Sequence, residues 1–255
     1  MSLKIQLVRI AHVFYTHKDI DKARMFLEDF GMHETKRVGD DFYYCGTGSE
    51  PFVYCARKGQ EDAFGGAAFV VESETDLEAA QALPVDKFPF HLVHSQTALK
   101  DVKTLPLLDF NFPEEKHRLG NKTQRFQKGP APVHKLGHFG MCVTDFTLAY
   151  DFYTTHFNFK ASNLVYDGSG RDITTFLHLD RGFWVMTGSA TKAMRIAGGV
   201  GRHIMGSQIF DYWFDTSRFI LEHYVDGDLI NDTSPTEREL ASPSNLHVWG
   251  PDLPP

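Results

Sequence analysis

The alternation of apolar and polar positions divides the chain into short strands and a few short helices. From Leu7 to Tyr15 the run LVRIAHVFY reads as a strand. Asp19 follows at an N-cap position, where a carboxylate accepts from the free amides of a first helical turn. Ile20, Ala23, Phe26 and Leu27 then recur at helical spacing, and Gly31 supplies a stop signal. Strand-like runs come next at Asp41–Cys45 and Pro51–Cys55. Sliding the sequence so that His12 falls on His138 finds the same order again, with Asp19 on Asp145, Ala23 on Ala149 and Phe26 on Phe152. The second copy opens with a strand from Leu136 to Val143 and carries Leu148, Ala149, Phe152 and Tyr153 on one helical face. It continues with strands at Asn163–Tyr166 and Ile173–Leu179. Each copy reads β-α-β-β-β, and such an internal repeat predicts an α+β chain of two related domains.

Between the copies, residues 98–133 are polar and basic (Lys116-His-Arg118, Lys122-Thr-Gln-Arg125) and end in Gly129-Pro-Ala-Pro132. That is the composition of a linker. The expected layout is a first domain over 1–97, a linker over 98–133, a second domain over 134–228 and a tail over 229–255. The tail is rich in proline and serine and is expected to be packed by Leu246, Val248 and Trp249.

Composition narrows the class of protein. The 255 residues are 42% apolar, 13% aromatic and 23% charged, and 26 Lys+Arg against 33 Asp+Glu give a net charge of −7. A negative chain without a basic run is a poor partner for nucleic acid or an anionic membrane. Cys45, Cys55 and Cys142 are an odd set without a CxxC pair, which suits a reducing compartment better than a disulfide or zinc framework. The N-terminus lacks the long apolar core of a signal peptide. Apolar runs such as 66–71 fall far short of the ~20 residues of a membrane span. These features predict a cytoplasmic protein that binds neither nucleic acid nor membrane.

Candidate chemistry lies in the second copy. In a strand Leu136–Val143, His138, Gly140 and Cys142 share one face, while Phe139, Met141 and Val143 share the other. Gly140 beside His138 leaves room for a group to approach the imidazole. Farther on, Ser207–Phe214 and Phe219–Tyr224 read as a hairpin around Asp215-Thr-Ser-Arg218. A three-residue loop with a left-handed final residue pairs Asp215 with Phe219 and sets Tyr212 opposite Glu222 on one face. A carboxylate between Ile220 and Tyr224 needs a metal, an Arg or a donor if it is buried; the alternative is an edge-strand glutamate in water.

These residues carry a family resemblance. The two β-α-β-β-β copies, the Leu-Gly-His-Phe strand, and Gly201-Arg-His203 followed by Phe210-Asp-Tyr-Trp-Phe-Asp215 and Phe219-Ile-Leu-Glu-His-Tyr224 resemble the vicinal oxygen chelate superfamily. Within it they resemble the type I extradiol catechol dioxygenases, the fungal glyoxalase-like members in particular. The likeness runs through most of the chain to Val248-Trp-Gly-Pro251. It implies two vicinal oxygen chelate domains, both shortened here, with the metal in the second. It also implies an Fe(II) enzyme that opens a catechol-type ring beside its two hydroxyls, using O2. His138 falls on the first iron-binding His and Glu222 on the iron-binding Glu. His203 and Tyr212, spaced nine and ten residues apart along the series to Glu222, fall on the active-site His and Tyr and are the implied catalytic residues. Two imidazoles and one carboxylate on one face leave positions open for a bidentate catecholate and O2. The implied partners are a small aromatic diol and O2, with a homo-oligomer left open.

The chain departs from the family at two places. The second iron-binding His belongs on a strand leading into another helix, yet Gly182 to Gly201 contains no histidine and is short for a strand, a helix and two connections. His178 is a fallback ligand, although it aligns with the preceding strand. Asp215-Thr-Ser-Arg218 stands where the family has Asp-Pro-x-Gly. In the first copy, Phe88–Val93 resembles a closing strand with His91 where the second copy has Glu222; His12 and His91 are read as structural. A degenerate, metal-poor member that binds small molecules or a partner is the alternative. A glyoxalase-type isomerase or lyase on the same fold is a third reading, disfavoured by the linker and the His203/Tyr212 pair.

Overall fold

The computed structural model describes residues 4–83, 90–93, 114–120, 129–179, 182–188, 199–242, 245 and 247–250, with 90–93 and 182–188 described by their backbone alone. Among them, β1 (Leu7–His17) leads into α1 (Ile20–Asp29), then β2 (His33–Val38), β3 (Asp41–Cys45) and β4 (Tyr54–Lys58). The four strands line up as β2-β3-β4-β1, with β4 parallel to β1. Asp19 caps α1 as expected, accepting from the Lys22 amide, and Gly31 follows the helix at φ +105. The strand expected at Pro51–Cys55 starts later, at Tyr54, because its register is fixed by pairing with β1 rather than by its apolar run.

The next set is shorter. β5 (Ala63–Val71) pairs antiparallel with β1, α2 (Glu74–Gln81) follows, and β6 (Phe90–Val93) returns parallel to β5. This completes a six-stranded sheet.

The second half repeats the first. β7 (Gly140–Val143), α3 (Phe146–His156), β8 (Lys160–Tyr166), β9 (Asp172–Leu179) and β10 (Gly182–Gly188) take the order β8-β9-β10-β7, with β10 parallel to β7. Asp145 caps α3 by accepting from the Leu148 amide, the counterpart of Asp19. A third sheet is built from β11 (Val200–His203), β12 (Ile209–Phe214) and β13 (Ile220–Val225). Those three antiparallel strands match the last three strands of a β-α-β-β-β unit. The opening strand and helix are missing among the described residues.

The sheet order gives the reason. In the first half β1 is flanked by β5, the opening strand of the next set; in the second half β7 is the last strand of its sheet among the described residues. Residues 182–188, the start of the stretch where a second histidine is expected, form β10, the closing strand of the preceding unit. Residues 189–198 lie outside the described set.

The tail is not a loose appendage. β14 (Glu237–Leu240) pairs parallel with β8, and β15 (His247–Trp249) pairs with β11. Val248 and Trp249 do not pack it as expected: they are 64% and 48% exposed, since the tail is held through backbone pairing at the sheet edge. Leu246 lies outside the described residues.

One apolar core runs through both halves. Ile5, Leu7, Leu27, Phe69, Phe139, Phe157, Phe159 and Leu177 belong to it. Phe69 lies 5.9 Å from Phe139 and 5.6 Å from Phe159, ring to ring. The N-terminus is stitched to α3 by the Ile5 amide on the His156 carbonyl (2.9 Å) and by Asn158 on Leu7. No helix among the described residues is long and apolar enough to cross a membrane.

The end of the linker is docked as well. The Thr47 and Gly48 amides donate to the Val133 and His134 carbonyls at 2.8 and 2.7 Å. A methyl on Gly46 would stand 2.5 Å from those same two carbonyl oxygens, and one on Gly31 would collide with the Ala131 carbonyl. Residues 131–134 therefore form a strap on the first unit, leading straight to His138.

Candidate metal centre

His138 lies two residues ahead of β7, at the free end of that strap. The strand expected from Leu136 begins only at Gly140, but the expected alternation holds where it can be read: Phe139 and Met141 enter the core while Gly140 and Cys142 are exposed. Gly137 is required locally, because any side chain there would collide with the Tyr224 hydroxyl. Its absence lets the Tyr224 ring tilt against His138 at 4.9 Å.

Glu222 comes from β13, directly opposite Tyr212 of β12. The connecting turn has the expected form: the Asp215 amide donates to the Phe219 carbonyl at 2.9 Å, and Arg218 takes φ 68. The Asp215 carboxylate accepts from the Ser217 and Phe219 amides, which locks the loop. Glu222 is no edge-strand glutamate in water; its side chain is 9% exposed. His203 closes β11 and stacks on Phe210 at 4.0 Å, which aims its ring at the hairpin.

The four candidate side chains meet. His138 Nε2 is 2.9 Å from Glu222 Oε2. His203 Nε2 is 3.5 Å from Glu222 Oε1 and 2.9 Å from the Tyr212 hydroxyl. Burial by itself would raise the Glu222 carboxyl, but the hydrogen bonds from His138 and His203 outweigh it and hold the group at about 2. The carboxylate is thus ionised at neutral pH. Burial, reinforced by that carboxylate, pushes the Tyr212 phenol far up, and it raises Tyr224 to about 12. Both phenols remain proton donors at neutral pH.

The donors suit a divalent ion as far as they go. Two ligand atoms each about 2.1 Å from one octahedral ion stand about 3 Å apart, which is the separation of His138 Nε2 and Glu222 Oε2. Glu222 Oε1 is buried and His203 Nε2 approaches it only at a long 3.5 Å, so the carboxylate still has capacity for a Lewis acid. Among the described residues, however, no group of three or more His, Cys, Asp or Glu is arranged to hold a metal. His178 does not complete the set. It is buried on β9, and register carries it across β10 to the level of His138, two strands or about 10 Å away. In the first half, His12 is buried edge-on against Phe14 and Phe52 at 4.5 and 4.6 Å. Ala68 stands between it and His91 in register, while the His91 side chain lies outside the described residues.

Three neighbours of the site carried no role in the sequence reading. Tyr224 could have been found from its i+2 relation to Glu222. His223 and His17 had no such signal, since their partners are far away in sequence.

Neither a family model nor a curated protein matches the sequence. Solved structures do match. The chain resembles a variant of homoprotocatechuate 2,3-dioxygenase from Brevibacterium fuscum in complex with HPCA, with a TM-score of 0.73 at 14% identity over 98% of this chain and 80% of that one. It resembles equally the Mn(II)-bound glyoxalase from Novosphingobium aromaticivorans, with a TM-score of 0.72 at 18% identity over 99% and 94% of the two chains. The repeated β-α-β-β-β units of this chain thus form the vicinal oxygen chelate fold, shared with enzymes of two different chemistries.

Proposed function

We propose that this chain is a non-haem Fe(II) extradiol dioxygenase acting on a catechol-type aromatic, with its centre at His138, Glu222, His203 and Tyr212. The observation that carries this reading is the convergence of His138, His203 and Tyr212 around the buried Glu222 carboxylate, the four residues coming from three separated segments in all. His138 and Glu222 would hold the metal, whose chemistry when bound is to bring a catecholate and O2 together. The ionised Glu222 favours a cation beside it. His203 Nε2 and the Tyr212 hydroxyl, already hydrogen-bonded, would face the substrate: the imidazole takes and returns a hydroxyl proton, and the phenol, held in its acid form, donates to a substrate oxygen. The ring would open next to the hydroxyls. We place this centre in a second domain over 134–228, after a first domain over 1–97 and the 98–133 linker, with 229–255 as tail. A cytoplasmic setting accords with the buried Cys45 and Cys55, which form no disulfide.

One observation favours a second reading, a metal-poor relative that binds small molecules. Two protein donors are in place, and the strand that would carry a third is missing among the described residues. Anaerobic loading with Fe(II), measurement of bound iron, and addition of catechols in air separate the two. Near-stoichiometric iron, O2 uptake and a yellow ring-fission product, all lost in Glu222→Ala, support the dioxygenase. No retained iron and no product leave the second reading.

A further inference from the structure

Among the described residues, the hairpin that carries Tyr212 and Glu222 lacks the strand that flanks the corresponding strands elsewhere. β4 is flanked by β1 and β10 by β7, whereas β13 is the terminal strand of its sheet among the described residues. Other groups hold it, and they come from the first β-α-β-β-β unit. At the turn, the buried His17 Nδ1 is 2.8 Å from Ser217 Oγ, and Ser217 donates onward to Asp62 at 2.6 Å. His17 Nδ1 therefore carries the proton, which leaves Nε2 to accept from the Tyr54 hydroxyl at 3.0 Å. The chain Tyr54–His17–Ser217–Asp62 is satisfied at every link. Beside it, the Tyr15 ring packs on Phe219 at 4.5 Å. In mid-strand, next to Glu222 itself, the His223 ring stacks on Phe30 at 3.8 Å and 8°. Its Nε2 donates to the carbonyl of Phe30, the C-cap of α1, at 3.0 Å.

We propose that the first unit positions the Tyr212/Glu222 hairpin through two grips, His17 on Ser217 and Phe30 on His223, so that His17 and His223 are positioning residues for the centre. The inference rests on reading His138, Glu222, His203 and Tyr212 as that centre. The two grips lie on either side of Tyr212 and Glu222, one at the turn and one on the outer face of β13. Fixing the turn and the middle of β13 sets where the carboxylate stands relative to His138, which arrives separately on the strap. A free turn would not do so, because Arg218 is held in the left-handed region, where an Arg has no preference to stay.

The test uses the full chain and four variants. Ser217→Ala removes the link at the turn, Ser217→Thr restores a hydroxyl, and His223→Phe keeps the stack but loses the hydrogen bond. Ser162→Ala, which deletes a buried hydroxyl bonded to the Phe176 carbonyl in another sheet, controls for general loosening. Two readouts are taken: the imidazole NMR signals of His138 and His203 in metal-free protein, and Fe(II) affinity by anaerobic titration. Ser217→Ala and His223→Phe are expected to shift both imidazole signals and weaken Fe(II) roughly 10- to 100-fold. Ser217→Thr should restore both, and Ser162→Ala should change neither. Imidazole signals unmoved by the two grip variants, or moved as far by Ser162→Ala, overturn the proposal. If the signals respond as expected while the parent protein binds no Fe(II), the grips stand and the dioxygenase reading fails. Tight Fe(II) with unresponsive imidazoles means the reverse.

Discussion

Two buried ionisable groups at the turn oppose one another. Burial holds the His17 imidazole down at about 4, against a smaller upward pull from Asp62. Burial raises the Asp215 carboxyl to about 6 despite the backbone amides it accepts, and its Oδ2 has no hydrogen-bond partner. For His17 the unfolded chain takes up a proton between pH 6.5 and 4 while the folded chain does not, so stability falls as the solution is acidified through that window. For Asp215 the folded chain takes up its proton first, so stability is present at low pH and falls as pH rises from about 4 to about 6. Between those values the two slopes cancel. Asp215→Asn is expected to expose the His17 slope, losing up to roughly 3 kcal/mol between pH 6.5 and 4 relative to the parent. His17→Gln should show the opposite slope in urea unfolding over the same range. Identical pH profiles for the two variants would contradict this assignment. Glu222 contributes farther down, since a carboxylate held at about 2 supplies stability that is present above its ordinary 4.5 and lost toward pH 2.

Among elements, those with a strong local signal were legible in the sequence. The two capping aspartates and the hairpin register are local features, fixed by side chain to amide geometry within a few residues. β2 escaped notice because all six of its residues are exposed and it has no buried face to impose alternation. β10 is not distinguishable in the sequence from an opening strand of the next unit, since a strand's partners, here β7 and β9, cannot be read from its own residues. That the four candidate residues would come together was legible because the resemblance supplied their spacing; the His17 and His223 contacts were not, because contacts over such separations leave no local trace. Two substitutions test elements whose backbone is demanding. Arg218→Gly relieves a left-handed residue, offset by the loss of the Arg218 contact over the Phe214 ring at 5.5 Å, and should raise stability by roughly 0.5 kcal/mol in urea unfolding. Gly31→Ala should cost roughly 2 kcal/mol or more, because its methyl meets the strap backbone and its φ is +105. Retained stability would mean that the strap gives way freely.

For the whole molecule, the shared core makes the two halves mutually dependent. Phe69 of β5 packs on Phe139 and Phe159, and Ile5 inserts beside Phe157. Residues 129–255 produced alone are expected to lack a cooperative thermal transition by circular dichroism, whereas the full chain should melt in a single step. A sharp transition in the isolated segment would show that the second half carries a sufficient core. Among the described residues the unit that carries the hairpin shows neither an opening strand nor a helix, and contacts from the first unit hold the hairpin in their place.

β14 has a bearing on solubility. Its residues Glu237, Arg238 and Glu239 lie along the outer border of the five-stranded sheet, and Arg238 is tied to Asp172 at 2.9 Å. Without them β8 would present a bare ladder of amides and carbonyls behind Ala161 and Val165, both buried, an invitation for a second molecule to add its own strand. The charged tail strand seals that border with residues a newcomer could not easily stack against. This border of the sheet therefore disfavours the addition of a strand from a second molecule.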